Sequence, residues 1–408
     1  MDVEIQINNS PQPAARFVNW APSDCRIRVT NPAGSHGHAT PSIRLRSLST
    51  TAGGAVNFRQ GSTGAFATSL TLPVPINGNW AKFQIAGRFG RPSVDLNDVK
   101  IEARLGNALV GSTTCTVRIR KNANSLTNGE RDRFIAAFAQ LNNQGAGRFA
   151  DFRDMHTNVS SPQAHGAPGF LPWHRAYLLD LERELQAIDP SVALHYWRFD
   201  RPSPNIFTRD FLGVSDNVGA VEFSPNNPLQ FWVTDGVQGI TRRPFFNTSS
   251  APPGLLTEAQ TIALGANYAA FRVLEGNPHG SAHVSFGGSI SSIGTAARDP
   301  LFFLLHCNVD RLWAKWQKQN GRFDPTTASS FSGSGSNPIG HNLPDTMWPW
   351  NGITGGSRPP TAPGGTLAPS PTVSAPGLQP RVRQMLDYPG TVAAANRLGF
   401  DYDDVPFV

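Results

Sequence analysis

The sequence predicts a two-part fold. An all-β sandwich, immunoglobulin-like in its strand density, occupies residues 1–118. A mainly α region follows over residues 119–408, built as a helical bundle with long loops. Three observations predict this. Short apolar alternations separated by turn signals fill the first part and stop near Lys121. Capping boxes and apolar residues at helical spacing begin where they stop. Six of the ten histidines fall into two triplets in the second part, each ending on an apolar helix.

In chain order, the alternations are Val3-Ile5-Ile7, Ile27-Val29, Ile43-Leu45, Leu70-Leu72, Phe83-Ile85, Val99-Ile101 and Val117-Ile119. A period of two turns one face of each strand toward a core. The stretches NPAG, TAGG and INGN punctuate them as turns. Seven or eight short strands in about 120 residues is the density of a sandwich. Cys25 and Cys115 stand in inward phase near the two ends of this part. With no secretion signal, two buried thiols are expected rather than a disulfide. His36 and His38, in a Gly-rich loop, read as surface residues.

The second part opens on a capping box, Thr127 with Glu130, followed by Phe134, Ile135, Phe138 and Leu141 at helical spacing. Residues 169–189 give the next helix, from about Pro172, with His174, Leu178, Leu181 and Leu185 on its inward face. Residues 198–253, rich in Pro, Asn and Phe, read as irregular. A second capping box, Thr257 with Gln260, starts a helix expected to carry Phe271 and Leu274 and to stop near Gly276. Asp299 as cap and Pro300 in first position open the last strong helix. On it Phe302, His306, Val309, Trp313 and Trp316 share a face. Residues 321–374 are rich in Gly, Ser, Pro and Thr and read as an ordered wrap. Structure resumes from Arg381 to Tyr402.

At 408 residues, two domains are expected, and 39 Gly with 34 Pro imply many turns. The formal charge of +6 is spread over isolated arginines. No basic stripe with interleaved aromatics appears, which argues against nucleic acid as a partner. No apolar stretch approaches ~20 residues, so no membrane span is expected. The start, MDVEIQINNSPQP, lacks a basic end and an apolar run. A cytoplasmic chain is the expectation, with export by a partner as the alternative.

The two triplets are His156, His165 and His174, and His279, His283 and His306. A buried imidazole needs a partner for each ring nitrogen, either a hydrogen bond or a metal. Three neutral imidazoles suit a first-row metal such as copper, zinc or iron. His279 and His283, as HxxxH, present both rings from one helical turn. His165 and His174 can meet if the segment between them bends back, which Gly166, Pro168, Gly169 and Pro172 permit. The absence of CxxC argues against thiolate zinc, and the absence of E-x-x-H against di-iron. Cys307 neighbours His306 but points off its face.

The segments HGAPGFLPWHRAYLLDLERELQ, NPHGSAHVSFGG and DPLFFLLHCNVDRLWAKWQ are similar to the two copper motifs of the tyrosinase, catechol oxidase and haemocyanin superfamily, the type-3 copper proteins. The resemblance runs from about Val117 to Phe407, through DTMWPWNG and LGFDYDD, and leaves residues 1–115 uncovered. It implies a four-helix bundle holding two copper ions, one on His156, His165 and His174, the other on His279, His283 and His306. It implies that Asp310 orients a ligand. It also implies that Glu275 holds a water near the site. Gly280 stands where many bacterial tyrosinases carry an Asn that helps hold that water. Leu305 carries no ligand. Gln163 and Ala164 precede His165, so no Cys–His thioether forms there. The family's YWDW is HYWRFD here, with His195 unmatched and Arg198 in place of an acid. Val284, Ile293 and Gly294 fall where the family's substrate entrance lies.

The implied activity is oxidation of phenols and o-diphenols to o-quinones with dioxygen as co-substrate, surer for diphenols than for monophenols. Haemocyanin-like oxygen binding, or oxidation of o-aminophenols, are the alternatives. The expected partner is a small phenol. A copper-delivery protein and a second copy of this chain are further candidates.

Overall fold

A computed structural model describes residues 1–33, 39–335, 340–356 and 358–407. His36 and His38 lie outside the described residues. Contacts divide the chain into two units, residues 1–119 with 399–408, and residues 120–398.

Among the described residues, the first unit contains nine strands: β1 Asp2–Ile7, β2 Phe17–Val18, β3 Ser23–Asn31, β4 Ser42–Ser49, β5 Val56–Arg59, β6 Ser69–Pro73, β7 Ala81–Gly87, β8 Val99–Leu105 and β9 Ala108–Val117. They form two sheets, in the orders β1-β3-β7-β5 and β2-β9-β8-β4-β6. All neighbours are antiparallel except β2 on β9. The alternation works as expected. Ile27, Phe83 and Ile85 of one sheet and Ile43, Leu45 and Ile101 of the other are buried in a single hydrophobic cluster. β2 and β5 lie outside the seven predicted runs, and Ile119 lies past the end of β9 although it is buried.

Cys25 and Cys115 are free thiols facing this core, and burial pushes the Cys25 thiol up to about 12. Residues 399–408, expected with the helical region, belong instead to the β unit. The Asp401 carboxylate accepts the Trp20 N–H at 2.9 Å and the Ala21 N–H at 3.3 Å. The Trp20 indole donates to the Tyr402 carbonyl at 2.8 Å. These bonds give buried donors partners they would otherwise lack.

The second unit is helical: α1 Asn128–Asn142, α2 Phe149–Met155, α3 Ser161–Ala164, α4 Phe170–Ile188, α5 Glu258–Ile262, α6 Tyr268–Phe271, α7 Ser281–Val284 and α8 Leu301–Asn320. The α1 capping box forms as read, with Glu130 N–H on the Thr127 hydroxyl and Thr127 N–H on the Glu130 carboxylate. Phe134, Ile135, Phe138 and Leu141 are its buried face. Asp299 Oδ1 accepts the Leu301 N–H at the start of α8, and Gly321 ends that helix in the left-handed conformation.

The Thr257 capping box also forms, but its helix does not run to Leu274. α5 ends at Ile262, Gly265 takes φ +156°, and Asn267 caps a new helix by accepting the Ala270 N–H. Nor does the chain stop near Gly276. It continues as tight and wide helical turns through residues 272–280 into α7, broken only at Asn277, where φ is −139°. Wide turns of this kind recur at functional sites.

α4 and α8 pack on each other. Between them lies a buried ionic cluster. Arg120 pairs with Glu182 at 2.7 Å and Asp310 at 3.2 Å, and Arg175 pairs with Asp310 at 2.6 Å. The Arg175 guanidinium also lies 3.7 Å over the Trp313 ring. Residues 322–381 wrap this core without a described helix and bury Trp348 and Trp350. No described helix is long and apolar enough to cross a membrane.

Candidate metal centre

Six imidazoles converge in the helical unit. His156 caps the C-terminal end of α2, and His165 follows α3 in extended backbone. His174 stands in α4, His279 in the wide turn, His283 in α7 and His306 in α8. The His174 and His306 rings stack with centroids 4.1 Å apart at 7°. His165 reaches His174 at 5.2 Å because its segment does bend back, with Gly166 at φ +69°. In the second triplet, His306 Nε2 lies 3.3 Å from His279 Nε2 and 3.1 Å from His283 Nε2. In the first, His156 Nε2 lies 3.3 Å from His165 Nε2.

Among the described residues, two sets of nitrogen donors lie within 4.8 Å of one another, His279–His283–His306 and His156–His174–His306. The second triplet is therefore closed as read from sequence. In the first, His306 groups with His156 and His174: its ring lies nearer His174 than that of His165 does, 4.1 Å against 5.2 Å, while His165 lies nearer His156, 4.9 Å against 6.2 Å.

The outer ring nitrogens explain the orientation. Nδ1 of His156 bonds the Ile293 carbonyl at 3.0 Å, that of His174 the Phe170 carbonyl at 2.9 Å, that of His279 the Glu275 carbonyl at 2.7 Å, and that of His283 the Ile290 carbonyl at 2.8 Å. A carbonyl only accepts, so each Nδ1 carries the proton and each Nε2 is left as a bare lone pair aimed inward. His174 Nε2 is buried with no hydrogen-bond partner. Burial and the neighbouring imidazoles push His156 down to about 3 and His165 to about 2, and burial takes His283 to about 4. The rings are therefore neutral near pH 7 and ready to donate to a cation. Cys307 donates its S–H to the Leu194 carbonyl at 3.1 Å, away from the cluster. This donor set, all imidazole with one orphaned Nε2, fits a pair of copper ions.

The surroundings are apolar. Phe302 lies 4.2 Å from the His306 ring and 4.6 Å from that of His156. Phe170 lies 4.8 Å from His174 and 4.9 Å from His279. The Glu275 carboxylate accepts the Gly166 N–H at 2.6 Å and pairs with Arg272 at 3.3 Å, and desolvation raises its pKa. A Cβ on Gly280 would stand 3.3 Å from the Glu275 carbonyl oxygen. Val284 is 60% exposed and Ile293 43% exposed. Gly294 packs on the Asn158 side chain, next to the strand of chain that carries His156.

One assignment needs correction. Asp310 does not orient a ligand ring by hydrogen bond. It takes Arg120 and Arg175, and His306 Nδ1 has no partner. The i+4 spacing put Asp310 near the face of His306, but two buried guanidinium groups outbid a neutral imidazole for a carboxylate. His195 stays outside the cluster, accepting the Lys121 N–H at 3.2 Å and lying on Phe134. Arg198 pairs with Asp200 and Glu258. The reading missed the four ring-holding carbonyls, which no side-chain pattern announces. It also missed His341, a buried imidazole in the coil.

The sequence profile described as "Tyrosinase: Common central domain of tyrosinase" matches residues 146–319, which hold all six histidines. The chain is 34% identical over 268 residues to the tyrosinase of Streptomyces antibioticus, covering 58% of this chain and 94% of that one. It is 34% identical over 265 residues to the tyrosinase of Streptomyces glaucescens, covering 57% and 92%. Among solved structures it is similar to a functional unit of octopus haemocyanin, at 21% identity and a TM-score of 0.46, covering 71% of this chain and 69% of that one. With its histidine cluster inside the matched segment and a relative covered almost end to end, this chain belongs to the tyrosinase family.

Proposed function

We propose that this chain oxidises phenols at a pair of copper ions, with o-diphenols converted to o-quinones more readily than monophenols are hydroxylated. The observation that carries the reading is the convergence of six neutral imidazoles, four of which hold Nδ1–H on a main-chain carbonyl and so turn a bare Nε2 inward. His156, His165 and His174 would hold one copper, and His279, His283 and His306 the other. When bound, the copper pair supplies the exchange of electrons between phenol and dioxygen.

The protein's own groups do the rest. The carbonyl-held Nδ1–H groups keep the rings from rotating, so little reorganisation accompanies a change in metal charge. Phe170 and Phe302 keep water from the ring cluster. Oxidation of an o-diphenol removes two electrons and two protons, and a phenol with pKa ~10 needs a proton acceptor near neutral pH. Glu275 is the acid group nearest this role, its basicity raised by burial. Gly280 offers no side chain to share a water with it, which favours the diphenol reaction. Val284, Ile293 and Gly294 would border the entrance.

The same reading takes α2, α4, residues 268–284 and α8 as the four helices of a bundle, since together with the loop after α3 they bear the ligands. It takes residues 1–118 as an immunoglobulin-like sandwich. The test is side-by-side assay of the copper-loaded chain on tyrosine, L-DOPA, catechol and o-aminophenol. Diphenol turnover well above monophenol turnover is expected. Equal rates on tyrosine and L-DOPA would remove the role given to Gly280. Reversible dioxygen binding without turnover would replace the enzyme reading with an oxygen carrier.

A further inference from the structure

We propose that His341 is a positioning residue for the first copper, because its ring ties α3 to the start of α4 across the loop that carries His165. The proposal rests on the dicopper reading above. His165 is the ligand with least support of its own. Its Nδ1 has no hydrogen-bond partner, while those of His156, His174, His279 and His283 rest on carbonyls; His306 Nδ1 also lacks one, but His306 is fixed within α8 and His165 stands in a loop. Gln163 and Ala164 precede it, so no thioether ties the ring covalently. Its position must come from the loop, residues 165–169 between α3 and α4.

One imidazole spans that loop. His341 Nδ1 accepts the Gly169 N–H at 3.0 Å, and His341 Nε2 donates to the Pro162 carbonyl at 2.9 Å. Each nitrogen has one role, and only the neutral ring with its proton on Nε2 fills both. The Tyr268 hydroxyl donates to the Pro168 carbonyl at 2.5 Å, and Glu275 accepts the Gly166 N–H. His341 is itself held from its own segment. The Asp345 carboxylate accepts the N–H groups of Gly340, His341 and Asn342 at 3.0, 3.3 and 3.0 Å. Local sequence is shaped to admit the ring. A Cβ on Gly169 would stand 2.5 Å from His341 Nδ1 and 2.4 Å from the Gly340 carbonyl oxygen. Gly340 takes φ +102°.

A core histidine with no bearing on the metal would affect stability alone, so the test reads the two coppers separately. The full chain is loaded with copper and challenged with EDTA, and release is followed by metal analysis. Wild type is compared with His341→Ala, His341→Asn, His341→Gln and His195→Ala. Asn keeps an acceptor near the Nδ1 position and Gln a donor near the Nε2 position, so each retains one of the two bonds.

Removing such a supporting bond typically costs about 10–100-fold in metal affinity. His341→Ala is expected to release one equivalent at least about tenfold faster while the other keeps its wild-type rate. The Asn and Gln forms fall between, and His195→Ala leaves both rates unchanged. The fast equivalent should be the one lost from His165→Ala. Release of both equivalents speeded together, or neither speeded in a folded variant, would overturn the proposal. Should the Ala form fail to fold, the Asn and Gln forms carry the same two outcomes. A wild-type chain that loads fewer than two equivalents would sink the dicopper reading and the clamp with it. A normal wild type with uniform release in the variants would sink the clamp alone.

Discussion

The two units bury different things. The β unit closes on aliphatic and aromatic side chains with two thiols among them, Cys25 and Cys115. The helical unit buries His156, His174, His279 and His306 together with Arg120, Arg175, Glu182 and Asp310. Hydrophobic burial is non-directional, so the first core tolerates change in proportion to volume lost. A buried charge or imidazole is costly unless its partner is in place, so the second core fails when one partner is removed. The lesson is that the helical unit gives up easy stability for fixed donor directions, which a metal centre requires.

The largest effect that could break this contrast lies at His306, whose Nε2 stands within 3.3 Å of two other ligand nitrogens. His306→Ala should cut o-diphenol turnover by more than about a thousandfold, the loss of several kcal/mol of metal support. Copper analysis should show fewer than two equivalents. Turnover within about tenfold of wild type would contradict the site.

Acid should act next most strongly, and on the copper-free chain. Burial holds His156 at about 3 and His283 at about 4 in the folded state. An unfolded imidazole titrates near ~6.5, so below that pH the unfolded chain binds more protons than the folded one. Stability is therefore full above ~6.5 and falls as pH drops, by about 1.4 kcal/mol per pH unit for each such ring. The urea midpoint of the copper-free chain should fall steeply between about pH 6.5 and 5, and bound copper should blunt the fall. A midpoint flat across that window would show the rings to be solvated.

The ionic cluster comes third. Asp310→Ala takes from Arg175 its carboxylate and leaves Arg120 with Glu182 alone, and should cost about 3–5 kcal/mol by denaturant titration. A loss under about 1 kcal/mol would place these groups in water. In the β unit, Ile101→Ala should cost about 2–5 kcal/mol by cavity formation alone. It should leave both copper equivalents in place, and a change in copper content would erase the distinction between the units.

The difference also decided what was legible in the sequence. Alternation marked seven of the β unit's strands because each buries one face. It passed over β2, two residues long, and β5, four residues long, where the pattern has no room to repeat. The six histidines stood out because residue type and helical spacing both marked them. Their orientation did not, because every residue owns a carbonyl and only the fold selects Phe170, Glu275, Ile290 and Ile293.

Asp310 was placed on the right face but given the wrong partner. Arg120 reaches it across 190 positions of sequence, which spacing along one helix cannot reveal. The helix after Thr257 was read as continuous because its apolar spacing persists, while Gly265 and the Asn267 cap divide it. His341 was hidden as a single histidine in Gly- and Pro-rich coil, where nothing local marks a buried ring.

The most direct test of the central claim is anomalous diffraction at the copper edge from crystals of the loaded chain. The account predicts two peaks inside the helical unit, one ringed by Nε2 of His156, His165 and His174 and the other by Nε2 of His279, His283 and His306. A single peak, or copper bound away from these six rings, would contradict it.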